Sequence, residues 1–273
     1  MSEADRRGHQ SRPTIIAVFG KTTLSAMVTK VLMEESHQRI LAIDADPAVG
    51  LATSLGLTVT KTIDDIRNAL VGDVQSGHKS DPQEVLRRLD YDVLEALVEY
   101  RNLAFLAVGR PEQEGCYCQV NQLLKEIIGG LSQHFDYVVI DGEAGIEQIN
   151  RRVMRAVTHL LLVSDSSLKG LQVCRTIKTV AASAMAYRRE GLILNRVRAK
   201  DGAIGPGRTS DLSLMGTVPE SEQVRRADMA GQSILSLPEG EALQALRCCL
   251  ANLLADVSES IRHPRREKPP PTL

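Results

Sequence analysis

The sequence predicts a doubly wound α/β fold, a mainly parallel sheet with helices on both faces, on three observations. Short, continuously apolar runs of strand length recur along the chain: TIIAVF, RILAIDAD, NLAFLAVG, FDYVVIDGE, HLLLVSD and GLILNRV. Unbroken apolarity marks strands covered on both faces, whereas a half-solvated strand alternates. Helical patterns fill the intervals, as right-handed crossovers between parallel strands require. Several runs end in an acid, amide or glycine: Asp44, Gly109, Asp141, Asp165 and Asn195. Open α/β sheets take their ligands beyond the carboxyl ends of the strands, so such residues can line one crevice.

Composition narrows the function classes. At 273 residues, 43% hydrophobic and 25% charged, the chain can bury the core of one domain, expected over residues 13–262. Residues 1–12 are polar and 263–273 combine basic charge with a proline run, so both read as flexible tails. A formal net charge of -1 gives the surface no general attraction for nucleic acid or anionic lipid. Five cysteines, an odd number, fit a reducing compartment better than a disulfide framework. No apolar run reaches the roughly 18 residues of a membrane span and the start has no export signal, so a cytoplasmic protein is expected. The stretch from about Val71 to Asp92, with GDVQSGHKSDP, reads as an insertion or mobile loop.

The first strand runs directly into Gly20, Lys21, Thr22 and Thr23. These match the closing half of the phosphate loop G-x-x-x-x-G-K-[ST], whose backbone N–H groups cradle phosphates while the Lys adds charge and the next hydroxyl reaches Mg²⁺. The opening glycine is absent: Ile15 stands in its place. On this tetrapeptide alone, a simple helix start explains the residues as well. In LAIDADP, Asp44 and Asp46 lie two apart at a strand end and can leave the sheet towards one face. YVVIDGEAG puts Asp141 at the end of another strand, with Gly145 in the following turn. A strand-end carboxylate suits a hard cation such as Mg²⁺, and equally suits a turn. Cys116 and Cys118 form a Cys-x-Cys pair before an amphipathic helix. Two thiols supply half of the four ligands that zinc or square-planar nickel takes, and a symmetric dimer would complete the set. Two small thiols packed at a helix start are the plainer alternative. Cys174, Cys248 and Cys249 read as packing residues.

GKTTLSAM, ILAIDADP, GRPE with GCYCQVN, DGEAGIE, LLLVSD with SSLKGL, and LILNRV together resemble the CooC-type accessory ATPases, which help insert nickel into carbon monoxide dehydrogenase. That group lies within the MinD/ParA-like deviant Walker A P-loop ATPases. The resemblance implies a cytoplasmic homodimer that binds ATP or ADP with Mg²⁺ and serves carbon monoxide dehydrogenase as its client. It implies phosphate contact by Gly20 and Lys21, Mg²⁺ ligation by Thr22, and an α-phosphate contact by Thr23. Asp46 would position the attacking water and stand near the Mg²⁺ shell, and Asp141 would hold that shell. Asn195, Pro219 and Glu220 would close the adenine pocket, and Cys116 and Cys118 of two protomers would bind Zn²⁺ or Ni²⁺. Against the family's K-G-G-x-G-K-T-T, about five residues are missing before Gly20, including the signature lysine that crosses to the partner's nucleotide. The lost charge-assisted contacts are individually worth roughly 1.5–3 kcal/mol. Two other functions are compatible with the residues: a non-cycling pseudo-ATPase that binds metal or scaffolds, and a MinD/ParA-like ATPase of spatial organisation. For the latter, the acids Glu239, Glu241, Asp256 and Glu259 on the last helix oppose stable contact with an anionic membrane.

Overall fold

A computed structural model describes residues 12–35, 37–75, 82–110, 118–142, 153–154, 156–198 and 206–255, with Ile146 and Ile149 between. Both expected tails, apart from Arg12, lie outside the described residues. The described strands are β1 (Thr14–Phe19), β2 (Ile40–Asp44), β3 (Val98–Tyr100), β4 (Leu103–Ala107), β5 (Tyr137–Asp141), β6 (His159–Ser164), β7 (Arg189–Val197) and β8 (Leu214–Pro219). They form one sheet in the order β3-β4-β2-β5-β1-β6-β7-β8. Every pairing is parallel except β3 with β4, which is antiparallel.

The helices described over their length are α1 (Thr22–Glu35), α2 (Gly50–Leu55), α3 (Ile63–Gln75), α4 (Pro82–Glu95), α5 (Cys118–Ser132), α6 (Leu168–Ala184), α7 (Glu222–Ala230) and α8 (Glu241–Leu254). Side chains alternate across a strand, so each central strand feeds both faces. Ala17 and Phe19 of β1 join Leu41 and Ile43 in the core under α5 and α6. Ile16 and Val18 join Ile40 and Ala42 in the core under α1 and α8. The doubly wound architecture expected from the sequence is therefore the observed one, and β2 and β4 are buried at every position.

One expectation is corrected. The stretch from Val71 to Asp92 carries the end of α3 and most of α4, with residues 76–81 outside the described ones. Leu89 and Val93 anchor α4 in the core while Leu86, Tyr91 and Leu94 stay exposed. The helix is amphipathic but polar overall, and the turn residues of GDVQSGHKSDP that lead into it hid its start among loop signals.

Candidate functional site at the carboxyl edge of the sheet

Because β1, β2, β5, β6 and β7 run parallel, their carboxyl ends share one edge. Val18 is in register with Asp141, and Asp141 with Asp44, so both acids stand level with the end of the central strand. Ser25, in the second turn of α1, donates its hydroxyl to Asp141 Oδ1 at 2.8 Å and is itself fully buried. This bond fixes the start of α1 against β5. Ser25→Ala is expected to cost about 1–3 kcal/mol, because a buried carboxylate loses a donor. Urea unfolding measures it.

Asp44 does not leave the sheet beside Asp46, as the sequence suggested. It is fully buried, and its two oxygens accept the backbone N–H groups of Asp46 at 3.0 Å and Leu51 at 2.8 Å. Burial first, and the neighbouring charge of Asp141 second, push its carboxyl up to about 7. Asp46 stays half-exposed and accepts the N–H of Ala48 at 2.7 Å. The turn after Asp46 carries Val49 at φ 53°, a left-handed conformation that a β-branched residue adopts only when its surroundings impose it. The turn delivers Gly50 to Thr22: a Cβ on Gly50 would lie 3.6 Å from the Thr22 methyl and 3.9 Å from its hydroxyl. Thr22, Asp46 and Asp141 are hard oxygen donors gathered at one edge, a set that suits Mg²⁺.

The phosphate side is different. Only Gly20 and Lys21 separate β1 from α1. Gly20 has φ +150°, and a Cβ there would stand 2.7 Å from both the Cβ and the carbonyl oxygen of Val163 in β6. Phe19 is 1% exposed, with its ring against Gly142 and close to the place where Ile149 also meets that glycine. Unravelling the end of β1 to lengthen the loop would withdraw this ring, at about 3–5 kcal/mol on the scale of Phe→Ala substitutions. The residues present do not form a cradle for terminal phosphates. Lys21 lies near Asp165, whose carboxyl is held below its ordinary range by the hydroxyl and N–H of Ser167 and by the Lys21 charge.

A second group of predicted residues does converge. Thr23 on α1, Asn195 on β7, and Pro219 and Glu220 at the end of β8 line one small, partly open cleft of about 70 Å³. A bulge between Asn195 and Val197 puts Arg196 at φ 57°, and the Arg196 N–H donates to Asn195 Oδ1 at 2.9 Å. With Oδ1 accepting that bond, the Asn195 NH₂ is the amide's donor group. Arg198 grips Glu220 with two bonds of 2.6 and 2.8 Å at the rim. Arg196, Arg225 and Asp228 also line the cleft, and the sequence reading passed over all three. Their only signal was that they follow the strand-end residues Asn195 and Pro219. Cys116 and Gly145 lie outside the described residues, and Cys118 opens α5 with its side chain outside them. No described helix is long and apolar enough to cross a membrane.

Comparison with known proteins shows the family and the fold. The AAA_31 family, described as an AAA domain, matches residues 18–187. An uncharacterized ATP-binding protein of Methanocaldococcus jannaschii is 32% identical over 81% of this chain and 88% of its own. The carbon monoxide dehydrogenase accessory protein CooC of Rhodospirillum rubrum is 26% identical over 80% of this chain and 86% of its own. The septum site-determining protein MinD of Pyrococcus horikoshii, solved in complex with Mg-ADP, superposes with a TM-score of 0.59 at 21% identity, covering 89% of this chain and 96% of that one, which shows a shared fold. The chain belongs to the AAA_31 family of P-loop ATPases and has their MinD/ParA-like fold.

Proposed function

We propose that the chain is a cytoplasmic adenine-nucleotide-binding accessory protein for nickel insertion into carbon monoxide dehydrogenase, acting as a homodimer built from the unit 13–262. The observation that carries the nucleotide half is the meeting of Thr23, Asn195, Pro219 and Glu220, from distant segments, in one cleft beside the end of β1. The client half is supported by the relationship to the Rhodospirillum rubrum accessory protein. The nucleotide's base would take the Asn195 amide, and its first phosphate would approach Thr23 at the start of α1. Bound Mg²⁺ would supply positive charge beside the first phosphate, with Thr22, Asp46 and Asp141 as its oxygen donors. Since the β1–α1 junction offers no cradle for terminal phosphates, we derive no hydrolysis step. Cys116 and Cys118 of two protomers would hold the cargo nickel, or zinc, through four thiolates. The closed junction at Gly20 favours a second reading, a dimer that binds nucleotide and metal without turning ATP over.

Two measurements test the proposal. A fluorescent ADP analogue should bind saturably in the micromolar range, and Asn195→Ala should weaken it at least tenfold. Equilibrium dialysis against Ni²⁺ should give one metal for two chains, abolished by Cys116→Ser with Cys118→Ser. Absence of nucleotide binding by the folded protein would sink the nucleotide half, and metal binding unchanged in the double variant would sink the thiolate site.

A further inference from the structure

We infer that the site selects its ligand as an adenine nucleotide by the base and first phosphate and does not distinguish AMP from ADP or ATP. The inference rests on the proposed nucleotide site and names its ligand class more closely. At the base end, Asn195 is oriented by the Arg196 N–H at 2.9 Å, and Asn195, Pro219 and Thr23 at the start of α1 line the same cleft. The first phosphate therefore meets the N-terminal turn of a 14-residue helix and a threonine hydroxyl.

Beyond that point the structure closes. Recognition of second and third phosphates needs a run of backbone N–H groups turned inwards, and here two residues span the whole gap between strand and helix. One of them, Gly20, is pressed so closely on Val163 that a single added carbon would lie 2.7 Å from its carbonyl oxygen. The residue before it, Phe19, is locked in the core against Gly142 and cannot be drawn out to lengthen the turn without unpacking that core. Each further phosphate thus adds negative charge and gains no set of donors.

Isothermal titration calorimetry of the full chain with AMP, ADP and ATP, each with and without Mg²⁺, reads this directly. The three affinities should agree within about threefold, since a tenfold preference would require a contact of the strength of a charge-assisted hydrogen bond. Asn195→Ala should weaken all three by the same factor. Inserting Lys-Gly-Gly-Ser between Phe19 and Gly20 should raise ATP·Mg²⁺ affinity at least tenfold over AMP. ATP·Mg²⁺ binding more than tenfold tighter than AMP in the natural chain would overturn the inference and leave the nucleotide site standing. A folded insertion variant whose series stays flat would overturn it as well. No binding of any of the three would overturn the nucleotide site itself, and this inference with it.

Discussion

Gly20→Ala is expected to destabilise the chain by about 3–5 kcal/mol, combining a strained left-sided backbone with an unrelievable clash. At φ +150° an L-residue pays the conformational cost that glycine avoids. The new methyl would also sit 2.7 Å from the Val163 Cβ and carbonyl oxygen. A flexible side-chain tip could turn aside, but a carbonyl in the ladder between β6 and its neighbours cannot. For a domain of this size the loss corresponds to a fall in Tm of roughly 6–20 °C, measurable by calorimetry. Gly130→Ala is the control: it lies in α5 with nothing within 4 Å of the added carbon. There alanine should stabilise by about 0.5–1 kcal/mol, through helix propensity and reduced freedom of the unfolded chain. Equal and small effects of the two substitutions would show that the β1–α1 junction is not tight, and would remove the structural basis for a closed phosphate side.

The junction also shows what was legible in the sequence. Phe19 directly before Gly20 marked the loop as short, but not that the phenyl ring packs on Gly142, a residue more than a hundred positions away. The six runs read as strands are strands because both their faces are covered, which gives a one-dimensional apolar signal. The two that escaped, β3 and β8, lie at the edges of the sheet. Val-Glu-Tyr in β3 is half-exposed to exposed, and β8 contains Gly216 and ends in Pro219, so neither carries unbroken apolarity. An edge strand needs only one neighbour and tolerates such residues. In the candidate site, residues at strand ends were visible one by one. Their grouping depended on sheet order, which sets β7 and β8 together on one flank of β1 and places β2 on the other side of β5. Asp44 was seen as a strand-end carboxylate, but its inward turn onto the N–H groups of Asp46 and Leu51 depends on the path of the following turn, held by Val49 in a conformation that its residue type does not suggest.

That inward turn makes stability depend on pH in the opposite sense to most carboxylates. Asp44 titrates at an ordinary 3.8 when unfolded and at about 7 in the folded chain, chiefly because burial disfavours the charge and secondly because Asp141 is its register partner. Between these values the folded state binds the proton more tightly than the unfolded state does, so stability falls with rising pH. The contribution is fully present below about pH 4, declines through the interval, and is gone above about pH 7. At about 1.4 kcal/mol for each pH unit, it amounts to about 4 kcal/mol. Denaturant unfolding at pH 5 and pH 8 should show most of this difference. Asp44→Asn should flatten the slope even though it lowers stability at pH 5, where an amide NH₂ would face one of the two backbone donors. Asp141→Asn should leave a smaller slope, because it removes the second cause and keeps the first. A natural chain as stable at pH 8 as at pH 5 would mean that Asp44 ionises without resistance. The edge of the sheet would then be open to water, not the dry, preorganised site described by these contacts.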